Sequence, residues 1–448
     1  MASYAESPLT KEEQVVYQGK VLRCWPMDRK SRSRLLQDQP YPMRTKHHVL
    51  FAAVLLLLAI PSPLLWAEET VATPAGNGAQ YELIGRYDIA RLNKILTTEL
   101  ADFTSFPVNY TPARNAVKLY RVTYSSVIPE RGNKPTTAYG LIAIPETGKT
   151  AMPLVSYQHG TVYGQREVPS FPEESMETRL MVAQFAGQGY VVVAADYFGL
   201  GLSTENEGFM VKGSHQQACL DLYYAARAVL GREQVQVMDF FITGWSLGGF
   251  ATMAFLEKLE SLDIPVRAAS TASAPSDALV AFNGWLNFPR KIDAPWLTTV
   301  FVLSGFALEK YYGIPGLAQA LINPDQYEIA RKLYTREPFN INEFPTDLHT
   351  LIRPEYFSPQ YLAESAYGKL LKEAQTYRWV VKTPLRNYYG EIDEVITTGL
   401  GKLPMVYQQS IGNTQVEAFS AGPKANHRGT FAYAVAEQKK WFDLLLTR

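Results

Sequence analysis

The chain reads as an α/β protein: a mostly parallel, eight-stranded sheet with helices on both faces and a helical cap inserted between the sixth and seventh strands. Three observations predict this. Runs rich in Val, Ile, Tyr and Phe, bounded by Gly, Pro and Asn, recur from Val117 onward. Helix-forming stretches separate the later runs, as parallel crossovers require. One long stretch, 276–382, breaks the alternation and is helical in period where it has any period.

Taken in order, strands are expected at 117–127, 136–144, 153–158, 189–195, 237–243, 265–271, 384–390 and 415–420. The first two lie close enough to form a hairpin. Helices are expected at 176–187, 215–230 and 247–260, with a last one over about 429–446. The stretch 276–382 carries Trp285, Trp296, Phe301, Tyr311 and Tyr334 and falls between strands six and seven. There it projects over the C-terminal edge of the sheet, where ligands bind in α/β folds. No flexible linker flanks it, so it reads as a cap and not as an independent domain. The core is then 115–275 with 383–448, and 68–114 is an N-terminal segment with no assigned strand.

The N-terminus reads as an address. Arg44, Lys46, His47 and His48 precede an apolar run, 49–60, followed by prolines and by Ala67. A basic region, an apolar region and a small residue at the cleavage point describe an export signal over 43–67. The run is shorter than the ~20 residues of a membrane helix, so no stable span is expected; an uncleaved signal anchor is the alternative. Residues 1–42 are polar and aperiodic, which makes Met43 the expected start and 1–42 an over-extension of the reading frame or a disordered leader.

Composition excludes several function classes. The 448 residues are 47% hydrophobic and 19% charged, enough for a sizeable core. Lys+Arg and Asp+Glu are 43 each, so there is no basic field for nucleic acid. Beyond the signal only Cys219 remains, in an apolar helical stretch, and it reads as a buried free thiol. There is no H-x-x-x-H, C-x-x-C or P-loop, so no metal is expected.

The chemistry is concentrated in Gly244-Trp245-Ser246-Leu247-Gly248, which a β-rich run enters and a helix-forming run leaves. In that context a serine sits on a tight turn with its hydroxyl above the sheet. Gly244 and Gly248 admit the close approach of strand and helix. A serine hydroxyl needs a base, usually histidine, oriented by a carboxylate. His427 follows the last strand and takes the role of base. After strand seven stand Glu391, Asp393 and Glu394; Asp393 is preferred as the acid, Glu391 is the alternative, and Glu394 is expected to face solvent. The backbone N–H groups of Leu247 and Thr161 are the expected oxyanion donors. His159 and Gly160 shape that loop, His159 as a positioning residue. Asp196, in a glycine-rich turn after strand four, is expected to bond nearby backbone N–H groups.

The His159-Gly160 loop, the Asp196–Gly201 turn, Gly244–Gly249, the Gly390–Asp393 turn and His427, with Ser246, Asp393 and His427 in that order, resemble the α/β-hydrolase superfamily over about 115–448. Within it Tyr157-Gln158-His159-Gly160-Thr161 and Asp196-Tyr197-Phe198-Gly199-Leu200-Gly201 look like the secreted lipase and esterase branch with a helical cap. The oxyanion loop departs from that branch in having no Gly-Gly-Gly run. The resemblance implies a serine hydrolase that cleaves small-molecule or lipid carboxylic esters through an acyl-enzyme, with no cofactor. Two other functions are compatible with the same residues: a serine peptidase of aminopeptidase type, and a non-catalytic binding protein.

Overall fold

The computed structural model describes Gln14–Tyr17, Lys20–Arg23 and residues 72–447 apart from 77. The expected export signal, 43–67, lies outside the described residues. Within 1–42, read as aperiodic, β1 (Gln14–Tyr17) and β2 (Lys20–Arg23) form an antiparallel pair with Tyr17 opposite Lys20. The chain divides into two units, Met1–Glu69 and Thr70–Arg448, and everything below concerns the second.

Its sheet is built from β3 (Thr73–Gly76), β4 (Ala79–Tyr87), β5 (Val117–Ile128), β6 (Lys134–Pro145), β7 (Ala151–Gln158), β8 (Val191–Ala195), β9 (Gln236–Trp245), β10 (Ala268–Ala272), β11 (Leu385–Tyr389) and β12 (Val416–Ser420). The spatial order is β12-β11-β10-β9-β7-β8-β6-β5-β4-β3. Pairing is parallel from β12 to β8 and antiparallel from β8 outward through β6 to β3. The sheet thus has ten strands where eight are expected, because the 68–114 segment supplies β3 and β4. A register shift between Leu83 and Gly85 breaks the alternation of β4. Tyr81 and Tyr87 are buried while Leu83 is 45% exposed, so no clean period of two survives in the sequence. The hairpin of β5 and β6 is present, paired from Val117–Pro145 to Ile128–Lys134.

Strand alternation divides the core into two faces. Leu154, Val191, Val193, Phe240 and Ile242 join a cluster with Leu222, Phe250 and Leu256, from the helices Lys212–Arg232 and Leu247–Ser261. Val155, Val192, Ala194 and Phe241 join another with Leu180, Phe431 and Phe442, from the helices Met176–Gln184 and His427–Leu446. Phe241 and Phe442 stack at 4.4 Å. Burying each such ring contributes about 1.5–3 kcal/mol. Cys219 is a free, buried thiol.

Between β10 and β11 the chain is helical, with Ala278–Asn287 and Leu297–Tyr312 the longest pieces. This insertion is tied to loops that follow the C-terminal ends of β7, β8 and β11. The Tyr163 hydroxyl hydrogen-bonds with Thr299 Oγ1 at 2.6 Å, Tyr311 donates to Asn206 O at 2.8 Å, and the Trp285 indole donates to Val395 O at 2.9 Å. No helix among the described residues is long and apolar enough to cross a membrane.

Candidate active site

The turn between β9 and the helix Leu247–Ser261 is strained at Ser246, with φ 56° and ψ −125°. A non-glycine residue in such a region costs of the order of 1–3 kcal/mol. The surroundings enforce it. A Cβ at Gly244 would stand 2.2 Å from Gly248 O, and one at Gly248 would stand 1.9 Å from Gln158 O. Strand, turn and helix can therefore meet only with glycine at both places. A serine before a helix commonly caps it with its hydroxyl. Ser246 makes no such bond. Its Oγ turns instead to His427 Nε2, 2.9 Å away.

His427 is the first residue of the last helix, which begins two residues earlier than expected. Asn426 caps that helix by accepting from Gly429 N at 2.8 Å, which sets the backbone from which the imidazole projects. The main-chain N–H of His427 donates to Glu394 Oε2 at 2.9 Å, so Glu394 holds this backbone and does not simply face solvent. The ring lies 4.8 Å from that of Trp245, which stacks on Phe431 at 4.9 Å.

His427 Nδ1 is 3.0 Å from both carboxylate oxygens of Asp393. Asp393 Oδ1 also accepts from the N–H groups of Val395 and Ile396 at 2.8 Å, and Oδ2 accepts from Ser273 Oγ at 2.6 Å. Burial would push the Asp393 pKa up, but His427 and these donors outweigh it and hold the carboxyl below its ordinary range. For His427, burial favours the neutral ring; attraction to Asp393, the hydrogen bond and the nearby Glu394 outweigh it and raise the pKa. With Nδ1–H directed at Asp393, Nε2 is left to accept the Ser246 proton. Such an arrangement can turn a weak hydroxyl into a nucleophile. Glu391, the alternative acid, is exposed and accepts from Ser420 Oγ at 2.7 Å, away from the imidazole.

The remaining predicted residues lie in the turn itself and in the loops after β7 and β8. Leu247 opens the helix, so its N–H has no acceptor within it. Thr161 N–H donates to no group among the described residues. His159 is buried, with Nδ1 2.8 Å from Gly160 O and Nε2 3.1 Å from Asp196 O, and burial lowers its pKa to about 4. It acts on the loop and offers nothing to Ser246. Asp196 departs from expectation. Its carboxylate accepts from Ser170 N at 2.8 Å and Ser170 Oγ at 2.5 Å, bridging to a distant loop and not to its own turn.

Both the parallel half of the sheet and this turn have counterparts among known proteins. A model of the prolyl oligopeptidase family matches residues 176–262, which include Ser246. A provisionally assigned hydrolase from Legionella pneumophila superposes with a TM-score of 0.71 at 20% identity, over 82% of this chain and 97% of that one. The rice cell wall degrading esterase LipA from Xanthomonas oryzae superposes with 0.67 at 19% identity, over 82% and 96%. The fold is that of the α/β-hydrolases. Candida antarctica lipase A in its closed state shares this α/β-hydrolase framework more loosely, with a TM-score of 0.56 at 16% identity over 79% of this chain and 78% of that one. No curated protein sequence matches the chain.

Sequence reasoning missed three residues of this site. Ser273, at φ 47°, reaches Asp393 from the end of β10, and no motif marks it. Glu394 was in view within the acidic turn but without a role. Glu177 accepts from Gly160 N at 2.8 Å, although in the sequence it is only an acid in the first turn of a helix.

Proposed function

We propose that the protein is an exported serine hydrolase that cleaves carboxylic esters through an acyl-enzyme. The observation that carries this is the continuous contact from Ser246 Oγ through His427 to Asp393, at 2.9 and 3.0 Å. Ser246 Oγ attacks the ester carbonyl carbon while His427 Nε2 takes its proton. Asp393 holds the imidazole and stabilises the imidazolium. The N–H groups of Leu247 and Thr161 receive the negative charge on the carbonyl oxygen. Collapse expels the alcohol, which takes the proton from His427. Water, deprotonated by His427, then attacks the acyl group, and Ser246 leaves with the proton as the acid is released. The esterase and lipase relatives and the apolar residues of the 276–382 insertion support an ester with an apolar acyl group, and the insertion acts as a cap. The 43–67 stretch supports export.

The match to the prolyl oligopeptidase family favours a second possibility, amide cleavage with the same serine. A chain-length series of nitrophenyl esters assayed beside aminoacyl arylamides separates the two. Faster cleavage of the amides would establish a peptidase. Ser246→Ala is expected to lower ester turnover by ~10⁴-fold or more, since nothing else in the site can replace the nucleophile. Retained turnover would remove the assignment.

A further inference from the structure

Glu177 is a carboxylate buried directly behind the loop that carries Thr161. Its Oε2 accepts from Gly160 N at 2.8 Å and from the Tyr157 hydroxyl at 2.5 Å. A Cβ on Gly160 would meet Glu177 Oε1 at 3.0 Å and Trp245 Cε3 at 3.3 Å, so the carboxylate packs on the glycine backbone itself. The other side of Gly160 is also held, because its carbonyl oxygen lies 2.8 Å from His159 Nδ1. That carbonyl shares a rigid peptide plane with the N–H of Thr161 and points the opposite way. Pinning Gly160 at both ends therefore sets the direction of the Thr161 N–H.

We propose that Glu177 is a positioning residue for the oxyanion loop: its carboxylate anchors Gly160 and so aims the Thr161 N–H at the oxygen of the attacked carbonyl. This rests on the serine hydrolase function proposed above. Tyr157 from β7, Tyr197 beyond β8, and His427 and Arg428 at the start of the last helix are the titratable and charged groups that face Glu177. Burial raises its pKa, opposed by Tyr157, Gly160, His427 and Arg428, and leaves it at about 7. The anchor consequently exists in full only above neutrality. Below it the carboxyl takes a proton, the charge-assisted bond to Gly160 weakens, and a negative charge close to the developing His427 imidazolium is lost.

The test is the pH profile of kcat/KM on nitrophenyl butyrate. In the wild type the acid limb should fall more steeply than a single ionisation allows, because His427 must be neutral and the ionised form of Glu177 adds about tenfold to turnover. Glu177→Gln should reduce the limb to one proton and lower kcat about tenfold at pH 8, with KM within about twofold. Tyr157→Phe removes a donor that favours the ionised form, so it should shift the second ionisation to higher pH and leave kcat at high pH intact. An unchanged kcat and a two-proton limb in Glu177→Gln would overturn the proposal. Should Glu177→Gln fail to fold by circular dichroism, an unshifted limb in Tyr157→Phe would overturn it instead. Activity surviving Ser246→Ala would remove the hydrolase function itself. An inactive Ser246→Ala beside an unaffected Glu177→Gln removes only the role of Glu177.

Discussion

The turn at Ser246 and the helical insertion 276–382 are held in opposite ways. Backbone contact fixes the turn. With 1.9 Å between a Cβ on Gly248 and Gln158 O, the strand, helix and neighbouring loop leave room for one arrangement. Side chains hold the insertion. Apolar residues such as Phe282, Phe301 and Phe306 bury themselves in the common core. Hydrogen bonds and a partly buried ion pair, Arg336 to the buried Glu207 at 2.5 Å, tie its underside to the loops below. Backbone constraint leaves a short, recognisable sequence. Side-chain constraint is met by many apolar sequences of similar volume. The first region therefore announces its chemistry, and the second conceals its ligand.

The contrast can be broken most severely within the hydrogen-bonded chain. Asp393→Asn is expected to lower kcat by about 10³–10⁴-fold by disturbing the tautomer of His427, and Glu391→Gln to change it by less than about twofold. A larger loss in the Glu391 variant would reverse the assignment of the acid. In Glu177→Gln, whose acid limb reports His427 alone, the raised pKa of His427 places the midpoint of kcat/KM above the ordinary histidine value of about 6.5, and activity is gained as pH rises through it. A midpoint well below that value would mean that Asp393 does not hold the ring.

On the other side of the comparison, Arg336→Ala leaves Glu207 buried without its partner and should destabilise the fold by about 3–5 kcal/mol. Adding Glu207→Gln should recover part of this in urea denaturation. No recovery would show that Arg336 acts through its bond to Tyr163 O, at 3.1 Å, instead. The smallest effect is expected at His215, which is buried with neither ring nitrogen hydrogen-bonded. Burial lowers its pKa to about 3. Between that value and 6.5 the unfolded chain binds a proton that the folded chain refuses, so stability falls as pH falls. His215→Phe should remove a loss of about 2 kcal/mol at pH 5 relative to pH 8. Equal acid sensitivity of the two proteins would show that His215 is not the cause.

Legibility in the sequence followed the same division. The parallel strands β7 to β12 were readable because their apolar runs alternate with helices. Ser246, Asp393 and His427 were readable because the turn at Gly244–Gly248 dictates what must follow it. β4 was not, since its register shift spoils the alternation between Tyr81 and Tyr87. Ser273 and Glu177 were not, because each is a common polar residue whose partner lies far along the chain, 120 residues away for Asp393 and 17 for Gly160. The bridge from Asp196 to Ser170 escaped for the same reason: a carboxylate in a glycine-rich turn suggests a local partner, and only the packed loops supply a distant one.

One further consequence lies in the last helix. The contact between Ser246 and His427 spans 181 residues, and the imidazole stands at the first position of a helix that clings to the sheet through Phe431 and Phe442. Peeling that single helix away would part the imidazole from Ser246 Oγ and uncover the sheet face against which Phe431 and Phe442 are buried. The Phe241–Phe442 seam therefore also keeps the imidazole beside the serine.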